Sequence, residues 1–319
     1  MAGRKVLVTG GAGFIASHVA DAYLARGDQV WVLDDLSSGR EANVPQAAEF
    51  VHASVNDALV PELFEKVGGF DIVNHHAAQI DVRKSVEDPR NDADINLGGL
   101  LNLLESCRRT AVKRFVFVSS GGVVYGEAET RPTPEVAPKQ PLSPYGVSKL
   151  ASELYLFYYH KIHGLDYVAL RYSNVYGPRQ NPHGEAGVVA IFCTRLIDQR
   201  PITIYGDGTQ TRDYVFVADV VAANMAVTDT ALPASDELDQ RAFNVGTGDE
   251  TTVNELANAL AHVAGQQPTI EFGAARAGEL YRSALNADKL RGIGWRSGHS
   301  LSAGLRSTYE FIRNGERGW

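Results

Sequence analysis

Over the first half of the chain, short apolar runs alternate with longer amphipathic stretches. Lys5–Thr9, Gln29–Leu33, Glu49–His52, Asp71–Asn74, Arg114–Ser119 and Asp166–Arg171 are brief, are built around apolar residues and read as strands. Ile95–Arg109 and Leu150–His163 instead repeat apolar residues every three to four positions, the period of a helix with one buried face. Alternating strand and helix implies right-handed crossovers, and so an α/β fold with a doubly wound parallel sheet covered on both faces. After Arg171 the rhythm changes. Gly177–Gly184 is a loop by composition, followed by a helix at Val188–Gln199 and a strand at Ile202–Tyr205. Short strands at Phe243–Val245 and Thr269–Phe272 then mix with a helix at Val253–Ala264, a pattern that reads as a smaller C-terminal α/β lobe interleaved with the first, the chain crossing between them more than once. The expected division is 1–173 with 218–247 for the sheet domain, and 174–217 with 248–319 for the substrate lobe.

Composition narrows the classes. The 319 residues are 44% hydrophobic and 21% charged, ordinary for a folded soluble chain, and the net charge of −8 gives no basic face for nucleic acid. The first apolar run is too short for a signal peptide, and none approaches the roughly 20 residues of a membrane span. Two isolated cysteines, Cys107 and Cys193, make no disulfide framework, so a reducing cytoplasm is expected. His75-His76 has no second His or Cys pair at ligand spacing, and no metal site is expected.

Chemistry enters at the first strand–helix junction. Thr9-Gly10-Gly11-Ala12-Gly13-Phe14-Ile15-Ala16 allows a tight turn whose N–H groups can approach a pyrophosphate at a helix N-terminus. An acid at the end of the second strand, Asp34, lies about 20 residues on, where it can accept hydrogen bonds from ribose hydroxyls and repel a 2′-phosphate. This is a Rossmann-type dinucleotide site that favours NAD over NADP. Ala16 replaces the usual third glycine.

Tyr145 and Lys149 stand four apart after Ser143-Pro144, on one face of a helix. A free phenol titrates near ~10, and a neighbouring ammonium together with an oxidised nicotinamide is expected to lower that value. With these motifs the chain resembles the extended short-chain dehydrogenase/reductases, and within them the UDP-glucose 4-epimerases and related NAD-dependent sugar epimerases. The resemblance spans the chain, through residues 9–15, His75-His76-Ala77-Ala78, Asn96, Ser119-Ser120, Val124-Tyr125-Gly126, Tyr145/Lys149, Arg171 to Gly177 and Arg212-Asp213-Tyr214.

That resemblance implies Tyr145 as base, Lys149 on the nicotinamide ribose, and a serine at the end of the fifth strand on the sugar 4-hydroxyl. Ser120 is the choice, with Ser119 as the alternative, because the spacing to Val124 is one residue longer than usual. It implies a cofactor site of Gly10, Gly13, Phe14, Ile15, Asp34, Ser38, Ser54, Val55, His76, Ala77, Ala78, Gln79, Asn96, Ser119, Tyr145, Lys149 and Tyr172. Ser54 stands where the family often has Asp, so adenine contacts fall to the backbone nearby and to Asp57. For the UDP-sugar it implies Ser120, Tyr145, Asn174, Val188, Val189, Thr203, Tyr205, Arg212, Arg276, Glu279 and Ser283, the arginines serving the diphosphate.

The related dehydratases place an Asp-Glu pair after the catalytic Thr, and the decarboxylases a Glu nearby. Gly121-Gly122-Val123 offers no titratable group. Oxidation at C4 with return of hydride is what remains: 4-epimerisation of a UDP-hexose, UDP-Glc/UDP-Gal. Ser283, small where some members carry Tyr, leaves room for the N-acetyl sugars. UDP-glucuronate as substrate and a net NAD-dependent oxidoreductase stay open as alternatives. The family also implies a homodimer through the helices around 95–109 and 150–163, and the run Leu154–Tyr159 has more apolar surface than one helix buries in its own core.

Overall fold

Seven strands form a wholly parallel sheet in the computed structural model, which describes residues 3–182, 187–232, 236–275 and 280–315. The first six are β1 (Lys5–Thr9), β2 (Gln29–Asp34), β3 (Glu49–His52), β4 (Ile72–His75), β5 (Arg114–Ser120) and β6 (Tyr167–Tyr172). Four strands then lie outside the sheet: β7 (Asn174–Tyr176), β8 (Ile202–Tyr205), β9 (Thr211–Arg212) and β10 (Tyr214–Phe216). The chain returns to the sheet with β11 (Ala242–Val245) and leaves it again for β12 (Thr251–Thr252) and β13 (Ile270–Gly273). Across the sheet the order is β11-β6-β5-β4-β1-β2-β3, so the winding reverses between β1 and β4. A crevice opens there at the carboxyl ends of the strands.

The helices connecting the first strands are α1 (Phe14–Ala25), α2 (Leu59–Val67), α3 (Val82–Glu87), α4 (Pro89–Ala93), α5 (Gly99–Thr110), α6 (Gly121–Val124) and α7 (Pro144–His163). Later come α8 (Val188–Ile197), α9 (Val217–Asp229), α10 (Val253–Ala264), α11 (Asp288–Gly292) and α12 (Leu301–Arg313). Alternation along the strands divides two cores. Leu7, Leu33, Val73, Phe115 and Phe117 pack under α2, α5 and α7, while Val6, Val8, Val30 and Val32 pack under α1. Val116, Val168 and Leu170 meet α9 on that second face. A separate core gathers α8, α10 and α12 around Ile202 and Ile204.

Two helices depart from the periodicity. The stretch expected as one helix from Ile95 begins instead with a π-helical turn, Asp94–Gly98, before α5. Helix α7 starts six residues ahead of Leu150. Ser143 caps it by accepting from the Gly146 N–H at 3.1 Å, and Pro144 occupies the first turn, where its missing N–H costs nothing. Its opening turns bury Tyr145, Ser148 and Lys149, so an apolar count cannot find them.

One ion pair fixes α7 to the sheet. Arg171 of β6 is fully buried; its Nε and Nη2 donate to Glu153 of α7 at 3.0 and 2.6 Å, and Ser119 of β5 donates to the same carboxylate at 2.6 Å. Arg171 Nη2 also pairs with Asp239 at 2.8 Å, so removing Glu153 leaves a buried guanidinium only partly compensated. Glu153→Ala is therefore expected to cost about 3–5 kcal/mol in urea unfolding. An apolar replacement of both Glu153 and Arg171 is expected to recover much of that loss. A loss below about 1 kcal/mol for the single variant would show that the pair does not hold the helix.

Candidate active site

The crevice is lined first by the glycine turn. Gly10 sits at φ +70°, and a side chain there would lie 2.7 Å from the Ala77 nitrogen, so only glycine permits this approach of the turn to the β4 loop. Gly13 precedes α1 with no capping side chain, and the first turn contains no acid. The N–H groups of Phe14, Ile15 and Ala16 thus begin a helix whose positive end faces the strand ends. Asp34 closes the far side. Its Oδ2 accepts from the Ala12 N–H at 3.0 Å and its Oδ1 from the Leu36 N–H at 2.8 Å, while burial pushes its pKa up. Ser38 is exposed on the following loop. Ser54 lies half-buried beside the buried Val55, and the Asp57 carboxylate accepts from the Leu59 N–H at the start of α2.

The loop after β4 forms the floor. His75 is a core residue bonded through Nδ1 to the Thr9 hydroxyl at 2.7 Å. His76 has a buried Nε2 without a partner among the described residues, and burial, aided by the Lys149 charge, holds its pKa at about 3. Ala77 and Ala78 follow. Gln79 is gripped by Asn96, which accepts from its N–H at 3.0 Å and donates to its carbonyl at 3.1 Å. The Tyr172 ring lies 6.4 Å from that of His76, but its hydroxyl is committed to Asn224 of α9 at 2.6 Å. A small-residue cradle, an open helix end, a pinned acid and an orphaned buried imidazole nitrogen together fit a dinucleotide.

Tyr145 and Lys149 meet this floor from α7. Both are buried, at 8% and 3% exposure, and the Lys149 ammonium donates to the Val118 carbonyl at 2.9 Å while lying 5.7 Å from the Tyr145 ring centre. The expectation of a lowered phenol pKa is corrected for the protein by itself. Burial pushes Tyr145 up, and the negative Asp92 adds to this. Burial also drops Lys149 to about 8, with Asp92 and Glu153 opposing it. Desolvation outweighs the ammonium because a phenolate stripped of water has lost more than one nearby charge returns. The two serines separate cleanly. Ser119 is 1% exposed and spent on Glu153, whereas Ser120 is half-buried at the strand end and its hydroxyl does not cap α6.

In the smaller lobe, Thr203 and Tyr205 share the face of β8 opposite its core residues, beside Gly273. Val188 is half-buried at the start of α8, but the Val189 side chain is 1% exposed in the smaller core. Asn174 begins β7, its N–H donating to the Asp213 carbonyl at 2.9 Å, and Arg212 on β9 donates to the Thr211 carbonyl at 2.8 Å. Half-buried Ser283 lies two residues before Leu285, whose side chain occupies the space a Cβ at Gly121 would need, at 2.5 Å. Arg276 and Glu279 lie outside the described residues. Asp92 and Ser148, which join the dyad to the floor, escaped the sequence reading; an acid one helical turn before Asn96 was the available signal.

Fold and crevice define a Rossmann-type enzyme of nicotinamide chemistry, with a buried Tyr-Lys dyad at the end of β5. The chain matches the NAD dependent epimerase/dehydratase family over residues 6–246, and it belongs to that family. It is 45% identical to a UDP-glucose 4-epimerase of Mycolicibacterium smegmatis over 97% of this chain and 99% of that one. Among solved structures, a Thermotoga maritima UDP-glucose 4-epimerase with UDP-glucose superimposes with a TM-score of 0.92 at 42% identity, covering 98% of this chain and 100% of that one. The Thermus thermophilus UDP-glucose 4-epimerase in complex with NAD gives 0.90 at 44% identity, covering 97% and 99%.

Asp34→Asn keeps the acceptor for Ala12 but removes the charge. Hydrogen bonds to a charged group contribute about 1.5–3 kcal/mol, so NAD affinity is expected to fall roughly ten- to a hundredfold and the preference over NADP to shrink. Titration with both cofactors checks this; an unchanged NAD/NADP ratio would remove Asp34 from the selectivity argument.

Proposed function

We propose that this chain interconverts the C4 epimers of a UDP-hexose, UDP-Glc and UDP-Gal, using NAD. One observation carries the reading: the buried Tyr145–Lys149 dyad faces a strand end where the Ser120 hydroxyl has no hydrogen-bond partner among the described residues and the next three residues, Gly121-Gly122-Val123, supply no acid for elimination. When bound, NAD supplies the hydride acceptor and then the donor. Tyr145 takes the proton from the sugar 4-hydroxyl as hydride leaves C4, and gives it back when hydride returns to the other face of the 4-keto sugar. Ser120 holds the C4 oxygen by a hydrogen bond. Lys149 keeps positive charge beside the phenol and would hold the ribose of a bound cofactor. Burial and Asp92 hold the phenol protonated in the protein by itself, and a bound oxidised nicotinamide would supply positive charge that favours the phenolate.

Arg212 with Arg276 suits the diphosphate, and Glu279 the uridine ribose. The lobes 174–217 with 248–319 would hold the nucleotide sugar against the cofactor domain, 1–173 with 218–247. Ser283 is half-buried and small, which supports acceptance of UDP-GlcNAc and UDP-GalNAc. Exposed Val147, Leu154, Tyr155, Tyr158 and Ile162 form a stripe along α7, while Leu156 and Tyr159 are buried beneath it; this supports a homodimer through α7 and α5. Both free cysteines are buried, with the Cys193 thiol pushed up to about 12, and no helix among the described residues is long and apolar enough to cross a membrane. These features support a cytoplasmic setting.

Tyr145→Phe is expected to lower kcat by about a hundred- to ten-thousandfold with UDP-Glc, read by product separation. The same assay on UDP-GlcNAc and UDP-GlcA decides substrate breadth: no turnover of the N-acetyl sugar removes the Ser283 argument, and turnover of UDP-GlcA alone moves the substrate to a C6 carboxylate. Accumulating reduced-nicotinamide absorbance would instead identify a net oxidoreductase. Light scattering is expected to give twice the chain mass, and a single-chain mass overturns the dimer.

A further inference from the structure

A buried carboxylate that the mechanism above does not use joins the two halves of the crevice. Asp92, in α4, is fully buried and has no ion-pair partner among the described residues. A carboxylate in that position must be satisfied by donors, and it has three. Its Oδ1 accepts from Gln79 Nε2 and Asn96 Nδ2, each at 3.0 Å, and its Oδ2 accepts from the Ser148 hydroxyl at 2.7 Å. The three donors come from three separate places: the loop after β4, the π-helical turn, and α7.

Each donor is itself committed. Asn96 clasps both backbone groups of Gln79, and the Gln79 side chain clasps Asp81 in turn, accepting from its N–H at 2.7 Å and donating to its carbonyl at 3.0 Å. The path of residues 76–81 is therefore written by side chains that converge on Asp92. The extra residue of the π-helical turn re-aims the helix face that carries Asn96. On α7, Ser148 follows Tyr145 by three residues and precedes Lys149 by one, so all three share the face turned toward the crevice. We propose that Asp92 is a positioning residue, one carboxylate that bolts the Tyr145–Lys149 face of α7 to the cofactor-side loop and sets a fixed negative charge beside the dyad.

Glu153 also supports the Lys149 ammonium, but the charge that acts on the Tyr145 phenol is that of Asp92. Glu153 of α7 is paired with Arg171 of β6, and burial keeps His75 of β4 and His76 just after it neutral. Asp92 acts on both members of the dyad, holding the phenol protonated and the ammonium charged. Loss of the charge must therefore move the deprotonation of Tyr145 to lower pH, which loss of the bolt alone does not do.

Two variants separate the charge from the bolt, and the inference rests on the epimerase reading only where activity is measured. Asp92→Asn keeps the acceptor for Gln79 and Asn96 and removes the charge; the acid limb of the kcat–pH profile is expected to move down by about one unit. Ser148→Ala keeps the charge and removes the bolt. There kcat is expected to fall roughly ten- to a hundredfold with no shift of the limb, and backbone hydrogen exchange of residues 76–81 to accelerate, although the Ser148 hydroxyl bonds to Asp92 and not to that loop. An unshifted limb in Asp92→Asn overturns the electrostatic half, and wild-type exchange at 76–81 in Ser148→Ala overturns the bolt. The exchange measurement needs no substrate. It decides the bolt even if Asp92→Asn fails to fold, or if the wild-type enzyme turns over no UDP-sugar and the functional reading falls.

Discussion

The buried pairing of Arg171 with Glu153 is the constraint on which the crevice rests. It fixes α7 against β5 and β6 at a point one turn beyond Lys149, and it consumes the Ser119 hydroxyl in doing so. A buried ion pair is weak evidence of stability, since apolar residues could fill the same volume; its value here is registry. A helix held by apolar contacts alone could slide or roll by a fraction of a turn at small cost. A bidentate guanidinium cannot follow such a slide without losing both bonds.

From that anchor the rest follows in sequence. The parallel sheet brings the ends of β1, β2, β4 and β5 to one edge, where the glycine turn, Asp34, His76 and Ser120 belong to a single crevice. Helix α7 then lowers Tyr145 and Lys149 onto the same edge, in surroundings dry enough to depress the ammonium and raise the phenol. The protein thus stores a base in its inactive protonation state. A positive charge bound in the crevice would favour the phenolate, and so would couple acid–base readiness to the oxidised cofactor.

The smaller lobe contributes through contacts rather than through the sheet. Asp213, almost fully enclosed, accepts from the Thr247 and Gly248 N–H groups and from Leu285, and so ties β9 and β10 to the segment that carries Ser283. Leu285 in turn fills the space at Gly121. Residues from distant parts of the chain thus meet beside the end of β5, and a side chain at 121 would have to displace the buried Leu285.

Local pattern was enough for much of this. The boundaries of β1, β3, β8 and α10 coincide with the runs read from apolar spacing, because each is a short element with one clear period. The glycine turn, Asp34 and the Tyr145–Lys149 spacing are likewise local chemistry, legible because a phosphate cradle and a helical i,i+4 pair need fixed residue types at fixed distances. Tertiary structure alone decided three things. Which serine is free depends on strand parity and on what waits across the sheet for Ser119. The direction in which Tyr145 shifts depends on how much water burial removes. The partners of Asp92 depend on a π-helical turn and a helix start hidden beneath polar residues. Each is a long-range quantity, set by segments far apart in sequence, and no window along the chain contains it.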